Sequence, residues 1–477
     1  MNVDTNEAQL KDLVENIVRQ VVTQTTGSVQ DPIGQNEGDW GVFENMNDAI
    51  EAAHQAFIAF RERSIQCKRE ISDAIRKLAL DHKEELAQLT VEETHMGRVD
   101  HKIEKYINAS KYSPGVETLQ AQAWSGRNGL GLDEYAPYGV IGNMTPITHP
   151  GPVLINSMII QLAGGNSITF NPHPSAKHIS AKVIKLANRY LVDAGAPKNL
   201  VTCVKEPSLE TARTLCAHDK VKLLSVTDDT SLVDLASAYP KKLIASSPGN
   251  PPVLIDETAD LDLAAREITS SASFDNNILC IAEKEIFVVD AVFEAFMQKM
   301  EERGNVRLDS NQMDDLGGMA LQSSGGKWVI SQEHTGKSAR FLGQTIGLDL
   351  SENVPLLIGE TKSEHPWVLA EQKTCCLPVV RVGSFEEGVK EALMAEQGFR
   401  HTASIFTRDM NRATSYVRRM DSTVNVVNGG TLRGNGGDGG EGSFSHTIAT
   451  PTGEGICTPL DYVRKRRIMT HQAFRFV

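Results

Sequence analysis

At 477 residues, 40% of them hydrophobic, the chain is long enough to bury more than one core and to divide into two or three domains, which excludes a small binding module. Forty-eight basic residues against 61 acidic ones leave a formal charge of −13, which argues against a phosphate-tracking, nucleic-acid-binding surface. No apolar stretch reaches the length of a membrane span, and the N-terminus lacks the basic start and apolar core of a secretion signal.

Residues 7–23 place Leu10, Leu13, Val14, Ile17, Val18, Val21 and Val22 on one helical stripe, which predicts an amphipathic helix over 1–23. Residues 24–39, rich in Gly, Ser, Gln and Asn with Pro32, read as a flexible linker. Such a helix either docks into a groove of another protein or folds back on its own body. Glu7, Asp12 and Glu15 on its polar face speak against a membrane surface.

Helical patterns follow over 47–63 and 71–94, and Gly129 and Gly131 suggest a hairpin or extended arm before Pro137. β-rich runs at 139–145, 167–171, 200–204, 221–226 and 241–246 then alternate with helical stretches such as 175–194 and 210–218. That alternation predicts a mostly parallel sheet with crossover helices, and a nucleotide-type ligand at the carboxyl ends of its strands. A second α/β region has strand candidates at 285–289, 377–382, 403–407 and 423–427, and the tail 467–477 is β-prone.

The seven cysteines, at 67, 203, 216, 280, 375, 376 and 457, show neither metal-ligand spacing nor a disulfide framework, so a reducing compartment is implied. Cys375-Cys376 reads as packing, because neighbouring strand residues point to opposite faces. Cys280 stands apart. It lies between a helix-compatible segment, 264–273, and an apolar one, 285–289, and follows the polar triplet Asp275-Asn276-Asn277. A thiol at such a junction can face a cleft, whereas one inside an apolar run is inert; ordinary packing is the alternative for any lone cysteine. Gly434–Gly439 matches G-x-G-x-x-G formally, but no helix pattern follows it, and it reads as a mobile loop. No H-E-x-x-H helix is present, and no metal site is expected.

Five segments in order resemble the aldehyde dehydrogenase superfamily: Thr145-Pro-Ile-Thr-His-Pro150, Asn250-Pro-Pro-Val-Leu-Ile-Asp-Glu-Thr-Ala-Asp260, Ser273-Phe-Asp-Asn-Asn-Ile-Leu-Cys280, Thr402-Ala-Ser-Ile-Phe406 and Thr450-Pro-Thr-Gly-Glu-Gly455. More narrowly they look like its CoA-acylating branch, the acetaldehyde and propionaldehyde dehydrogenases of bacterial microcompartments, from about Trp40 to Val477. The resemblance implies an α/β fold with a Rossmann-type NAD-binding domain over 40–245 and an arm at about 121–137. It further implies a catalytic α/β domain over 246–458, a C-terminal oligomerisation arm over 459–477, and a homodimer or homotetramer. The helix over 1–23 is similar to encapsulation peptides that meet shell or core enzymes in the microcompartment lumen, within the cytoplasm.

The implied chemistry joins a short-chain aldehyde, NAD and coenzyme A as co-substrate. Cys280 is the nucleophile that becomes a thioester. In hydrolysing relatives a Glu on the strand equivalent to 243–246 activates water, and an Asn in the 145–150 turn helps bind the oxyanion; here these positions are Ala245 and Thr148. The resemblance places Thr145, Pro146, Asn171, Pro172, His173, Thr227, Gly249 and Glu371 beside the cofactor, with Glu371 on its ribose. It places His149, Asn277, Ile278, Thr450, Thr452 and Gly453 in the substrate and CoA cleft. Either histidine is alternatively a structural turn residue, and Glu454 is either a catalytic acid or a carboxylate capping backbone N–H groups.

Two departures fall in the cofactor cradle. The family's Thr-Gly-Gly is here Thr227-Asp228-Asp229, where carboxylates would repel a pyrophosphate, and its Ala-Gly-Ala-Gly-Asn is Ser246-Ser-Pro-Gly-Asn250, where Pro248 removes a donor. The rival readings are therefore a hydrolytic aldehyde dehydrogenase, and a cofactor-impaired homologue acting as an interaction component.

Overall fold

The computed structural model describes residues 39–227 and 230–474. The helix expected over 1–23, the linker to residue 38, Asp228-Asp229 and the last three residues lie outside the described residues.

Two parallel sheets carry the described chain. The first is built in chain order from Val42–Phe43, Val140–Thr145, Ser167–Pro172, Val201–Val204, Val221–Val226 and Lys242–Ala245. Its inner strands are buried on both faces, which is why they read as short continuous apolar runs rather than as alternating ones. Pro150–Ala163, Lys177–Asp193 and Leu209–Ala217 make crossovers between successive strands, and Pro150–Ala163 is buried along its whole length. In space Val140–Thr145 lies between Ser167–Pro172 and Val221–Val226. Later strands extend the sheet first to one side of it and then to the other, so the topological switch point falls at the carboxyl ends of Val140–Thr145 and Val221–Val226.

The second sheet runs Val306–Leu308, Leu357–Thr361, Cys376–Val382, Glu285–Val289, Pro252–Ile255, Thr402–Phe406 and Val424–Val427, with every pairing parallel. One face packs on Ile268, Phe296, Met297 and Trp367, the other on Val389, Ala392 and Tyr416. A third, antiparallel sheet joins Gln122–Gly126, Gly129–Pro137 and Val463–His471, so the two segments expected to form arms pair with each other. The basic run Arg464–Arg467 lies on this sheet, with Arg466 paired to Glu134 and Arg467 to Asp133. Among the described residues no helix is long and apolar enough to cross a membrane.

Candidate active site

Cys280 lies in the connection between the helix Leu261–Ser273, capped by the Asp260 side chain, and the strand Glu285–Val289. The turn between them needs an unusual backbone. Asp275, Asn276 and Asn277 have φ of 50°, 54° and 60°, the left-handed region that Asn and Asp enter at least cost among side-chain-bearing residues. Each is held from outside. Asp275 Oδ1 accepts the Arg98 N–H at 2.9 Å, its Oδ2 accepts Lys102 Nζ at 2.8 Å and also pairs with Lys105, and its own N–H donates to His101 Nδ1 at 2.8 Å. Against the upward push of burial, the two ammonium groups hold the Asp275 carboxyl below its ordinary range. Asn276 Nδ2 donates to the Gly336 carbonyl at 2.8 Å. Lys284 Nζ donates to the carbonyls of Asn277 at 2.8 Å and Leu279 at 3.0 Å, and also to Asn277 Oδ1.

The result is a part-exposed thiol on a rigid loop. Cys203, Cys216, Cys375, Cys376 and Cys457 are buried, and burial pushes their thiols up, to about 12 for Cys203 and Cys375 and about 11 for Cys216. Cys67, also part-exposed, sits in the first turn of the helix Ile65–Thr94 under its Ser64 cap.

Gly249 is wedged against the cysteine. A Cβ there would lie 2.5 Å from the Cys280 carbonyl oxygen and 2.9 Å from His401 Cγ. The Gly249 N–H reaches Glu371 Oε1 at 3.3 Å, and Glu371 pairs with Lys373 at 3.1 Å. His401, absent from the sequence-based site, is fully buried, and its Nε2 has no hydrogen-bond partner among the described residues. Burial, then Lys284 and Lys373, lower its pKa to about 4, so the ring is neutral. Its signal was available: it directly precedes Thr402-Ala-Ser-Ile-Phe406, at the same amino edge of the sheet as Gly249 and Cys280.

Most of the residues assigned to the cofactor gather at the first sheet's carboxyl ends. Thr145, followed by Pro146, is paired in register with Pro172, and its buried hydroxyl has no partner among the described residues. The Thr227 N–H donates to the Met144 carbonyl at 3.1 Å, closing the switch point from the other side. The His173 N–H donates to the Thr145 carbonyl at 3.1 Å, and His173 Nδ1 accepts the Ser175 N–H at 3.1 Å, as a structural turn residue would. Asn171 Oδ1 accepts the Thr211 hydroxyl at 2.6 Å. A switch point lined by a buried hydroxyl without a partner among the described residues fits a dinucleotide.

Thr148 connects the two groups. Its carbonyl accepts Lys102 Nζ at 2.7 Å, and its hydroxyl shares a 2.8 Å hydrogen bond with His149 Nδ1. His149 is buried and held well below the ordinary histidine range by burial, Lys105 and its ring neighbour His446. Ala245, buried at its strand end, donates its N–H to Thr452 Oγ1 at 3.0 Å, and Thr450 Oγ1 lies 2.7 Å from Ser247 Oγ. The Gly453 N–H closes a turn onto the Ala449 carbonyl at 3.2 Å, and Glu454 pairs with Lys242. This segment braces the last strand of the first sheet, and Glu454 is tied to it through Lys242. Asn277 and Ile278, in the same loop, are buried; the Asn277 side chain donates to the Glu283 carbonyl at 3.0 Å and accepts from Lys284.

A switch-point sheet joined to a second parallel sheet that carries a part-exposed thiol at its amino edge is the architecture of aldehyde dehydrogenase-like proteins. The aldehyde dehydrogenase family profile matches residues 41–441, and the chain belongs to that family. It is 40% identical over 467 residues, 97% of this chain and 99% of the relative, to the acetaldehyde dehydrogenase (acetylating) EutE of Salmonella typhimurium. Among solved structures it is similar to a propionaldehyde dehydrogenase from the Clostridium phytofermentans fucose utilisation bacterial microcompartment, with a TM-score of 0.89 and 37% identity, covering 92% of this chain and 100% of that one. The Rhodopseudomonas palustris propionaldehyde dehydrogenase, solved with bound CoA and an acylated cysteine, gives a TM-score of 0.89 at 35% identity, covering 92% of this chain and 100% of that one.

Proposed function

We propose that the chain is a CoA-acylating aldehyde dehydrogenase: a short-chain aldehyde, NAD⁺ and CoA give acyl-CoA and NADH through a thioester on Cys280. The observation that carries this reading is the pairing of a part-exposed Cys280 with Ala245, since the strand Lys242–Ala245 offers no carboxylate to activate water. The relatives' acetylating and propionaldehyde activities support it.

The Cys280 thiolate attacks the aldehyde carbon, and the hemithioacetal oxyanion is met by the Cys280 backbone N–H and the Thr148 turn. Thr145, Pro146, Asn171, Pro172, His173 and Thr227, with Gly249 and Glu371 on the Cys280 side, are the residues that would hold the dinucleotide. Bound NAD⁺ supplies the hydride acceptor. Collapse of the oxyanion leaves the acyl group on Cys280. Without a carboxylate base, water, with a pKa of about 15.7, competes poorly against a thiol of about 8.5, and the acyl group passes to CoA. His401, neutral and with Nε2 unpartnered among the described residues, is placed to accept a proton or hydrogen bond during that transfer.

The segment 1–23 is assigned to encapsulation in a bacterial microcompartment, and the antiparallel sheet of residues 122–137 and 463–471 to a homodimer or homotetramer. Deleting 1–23 should leave soluble activity within about twofold of wild type and abolish co-purification with shells. Lost activity would make the helix part of the body. Calorimetry with NAD⁺ tests the cradle, and no saturation at millimolar cofactor would favour an interaction component over an enzyme.

A further inference from the structure

The proposed chemistry does not use the buried charge cluster beside the site. Lys102, Lys105 and Asp275 are all buried, two cations against one carboxylate. Replacing buried ion clusters of this kind by apolar side chains is often neutral or stabilising, so stability alone is a weak reason for one. Its connectivity is more informative. The opening of the helix Val99–Tyr112 grips the start of the nucleophile loop: the Arg98 N–H and Lys102 bind the Asp275 carboxylate, His101 accepts its N–H, and the His101 ring stacks on Phe274 at 4.6 Å. At Gly97 a Cβ would lie 2.0 Å from Asp275 Oδ1, so backbone and carboxylate are in close contact.

The same helix holds the other half of the site. Lys102 Nζ donates at 2.8 Å to Asp275 and at 2.7 Å to the Thr148 carbonyl. Tyr106, one turn further on, packs against the first turn of the helix Pro150–Ala163 that follows, so closely that a Cβ at Gly151 would lie 1.6 Å from its Oη. A peptide unit is planar, so tying the Thr148 carbonyl fixes the orientation of the whole 148–149 peptide and of the Thr148 Cα. We propose that Lys102 is a positioning residue: one ammonium group sets the Thr148 turn against the Cys280 loop. Lys105 pairs with Asp275 and serves as the comparison.

The inference rests on Cys280 chemistry as proposed above, and the test separates the two. Reactive Cys280 is counted in a separate sample as the iodoacetamide-labelled Cys280 peptide, which sets it apart from part-exposed Cys67, and the NADH burst of unlabelled enzyme with aldehyde and NAD⁺, without CoA, is timed per reactive site. No burst in wild type would overturn the enzymatic reading itself. With a wild-type burst in hand, Lys102→Met should burst about tenfold or more slowly per site while its Cys280 labels within about threefold of the wild-type rate, because the thiol is intact and the turn is misplaced. Lys105→Met, which removes one grip on Asp275 but keeps the Thr148 bridge, should slow the burst at least about threefold less than Lys102→Met does, and an equal loss in both would overturn the proposal. A per-site burst in folded Lys102→Met equal to wild type would overturn the proposal. If Lys102→Met does not fold, Lys102→Gln replaces it with the same expectation. Failure of both to fold while Lys105→Met folds would make Lys102 a folding residue only, and would overturn the proposal as well.

Discussion

The two parallel sheets use opposite ends. The first presents the carboxyl ends of its strands, where chain order alone creates a crevice, and it leaves the buried Thr145 hydroxyl without a partner among the described residues. The second presents its amino ends: Gly249 precedes Pro252–Ile255, Cys280 precedes Glu285–Val289, and His401 precedes Thr402–Phe406. Nothing in parallel-sheet topology creates a cleft there. The Cys280 loop is held instead by side chains, Lys284 from within it and Lys102, Lys105 and Asn276 contacts from far along the chain. A ligand crevice can follow from strand order, whereas a nucleophile has to be fixed by specific bonds.

Cys280→Ala breaks the comparison most sharply. CoA-dependent NADH formation should fall by about 10³-fold or more while NAD⁺ affinity by calorimetry stays within about twofold, because only one of the two edges has changed. Equal losses of both would show that the edges are not separable. Gly249→Ala acts on the amino edge by shape. Its Cβ must displace the Cys280 carbonyl or the His401 ring, so kcat/KM per folded molecule should fall by about 10²-fold, and wild-type kinetics would contradict the packing.

The smallest effect is a pH slope. Burial, reinforced by Lys105 and opposed by Asp275, lowers the Lys102 pKa from 10.5 to about 7. Between those values the unfolded chain keeps a proton that the folded chain has released, so this group's contribution to stability rises with pH across the window. The limit is about 1.4 kcal/mol per pH unit. Urea titrations of wild type and Lys102→Met should therefore diverge in slope between pH 7 and 10. Parallel pH profiles would contradict a Lys102 pKa lowered by burial.

The first sheet was largely legible because its strands are apolar runs bounded by turns, and 221–226 was bounded to the residue. Val42–Phe43 and Val306–Leu308 were missed because two or three residues carry no pattern, and Leu357–Thr361 because its apolar start runs at once into Gly359-Glu360-Thr361. The helix Val99–Tyr112 gave no amphipathic stripe, since two of its lysines point inward. Asp275-Asn276-Asn277 was noticed for its polarity beside Cys280. What that polarity does was hidden, because the side-chain partners of Asp275 lie 170 or more residues away in sequence and only folding brings them together. His401 did carry a signal, directly preceding Thr402-Ala-Ser-Ile-Phe406, but its place beside Gly249, which also touches Cys280, exists only in the fold.

The most direct test of the account is NADH formation from a short-chain aldehyde and NAD⁺ with and without CoA, with the acyl product identified. Sustained turnover that requires CoA and yields acyl-CoA, with at most one NADH per site in its absence, is the predicted result. Full-rate turnover without CoA, releasing the free acid, would contradict it.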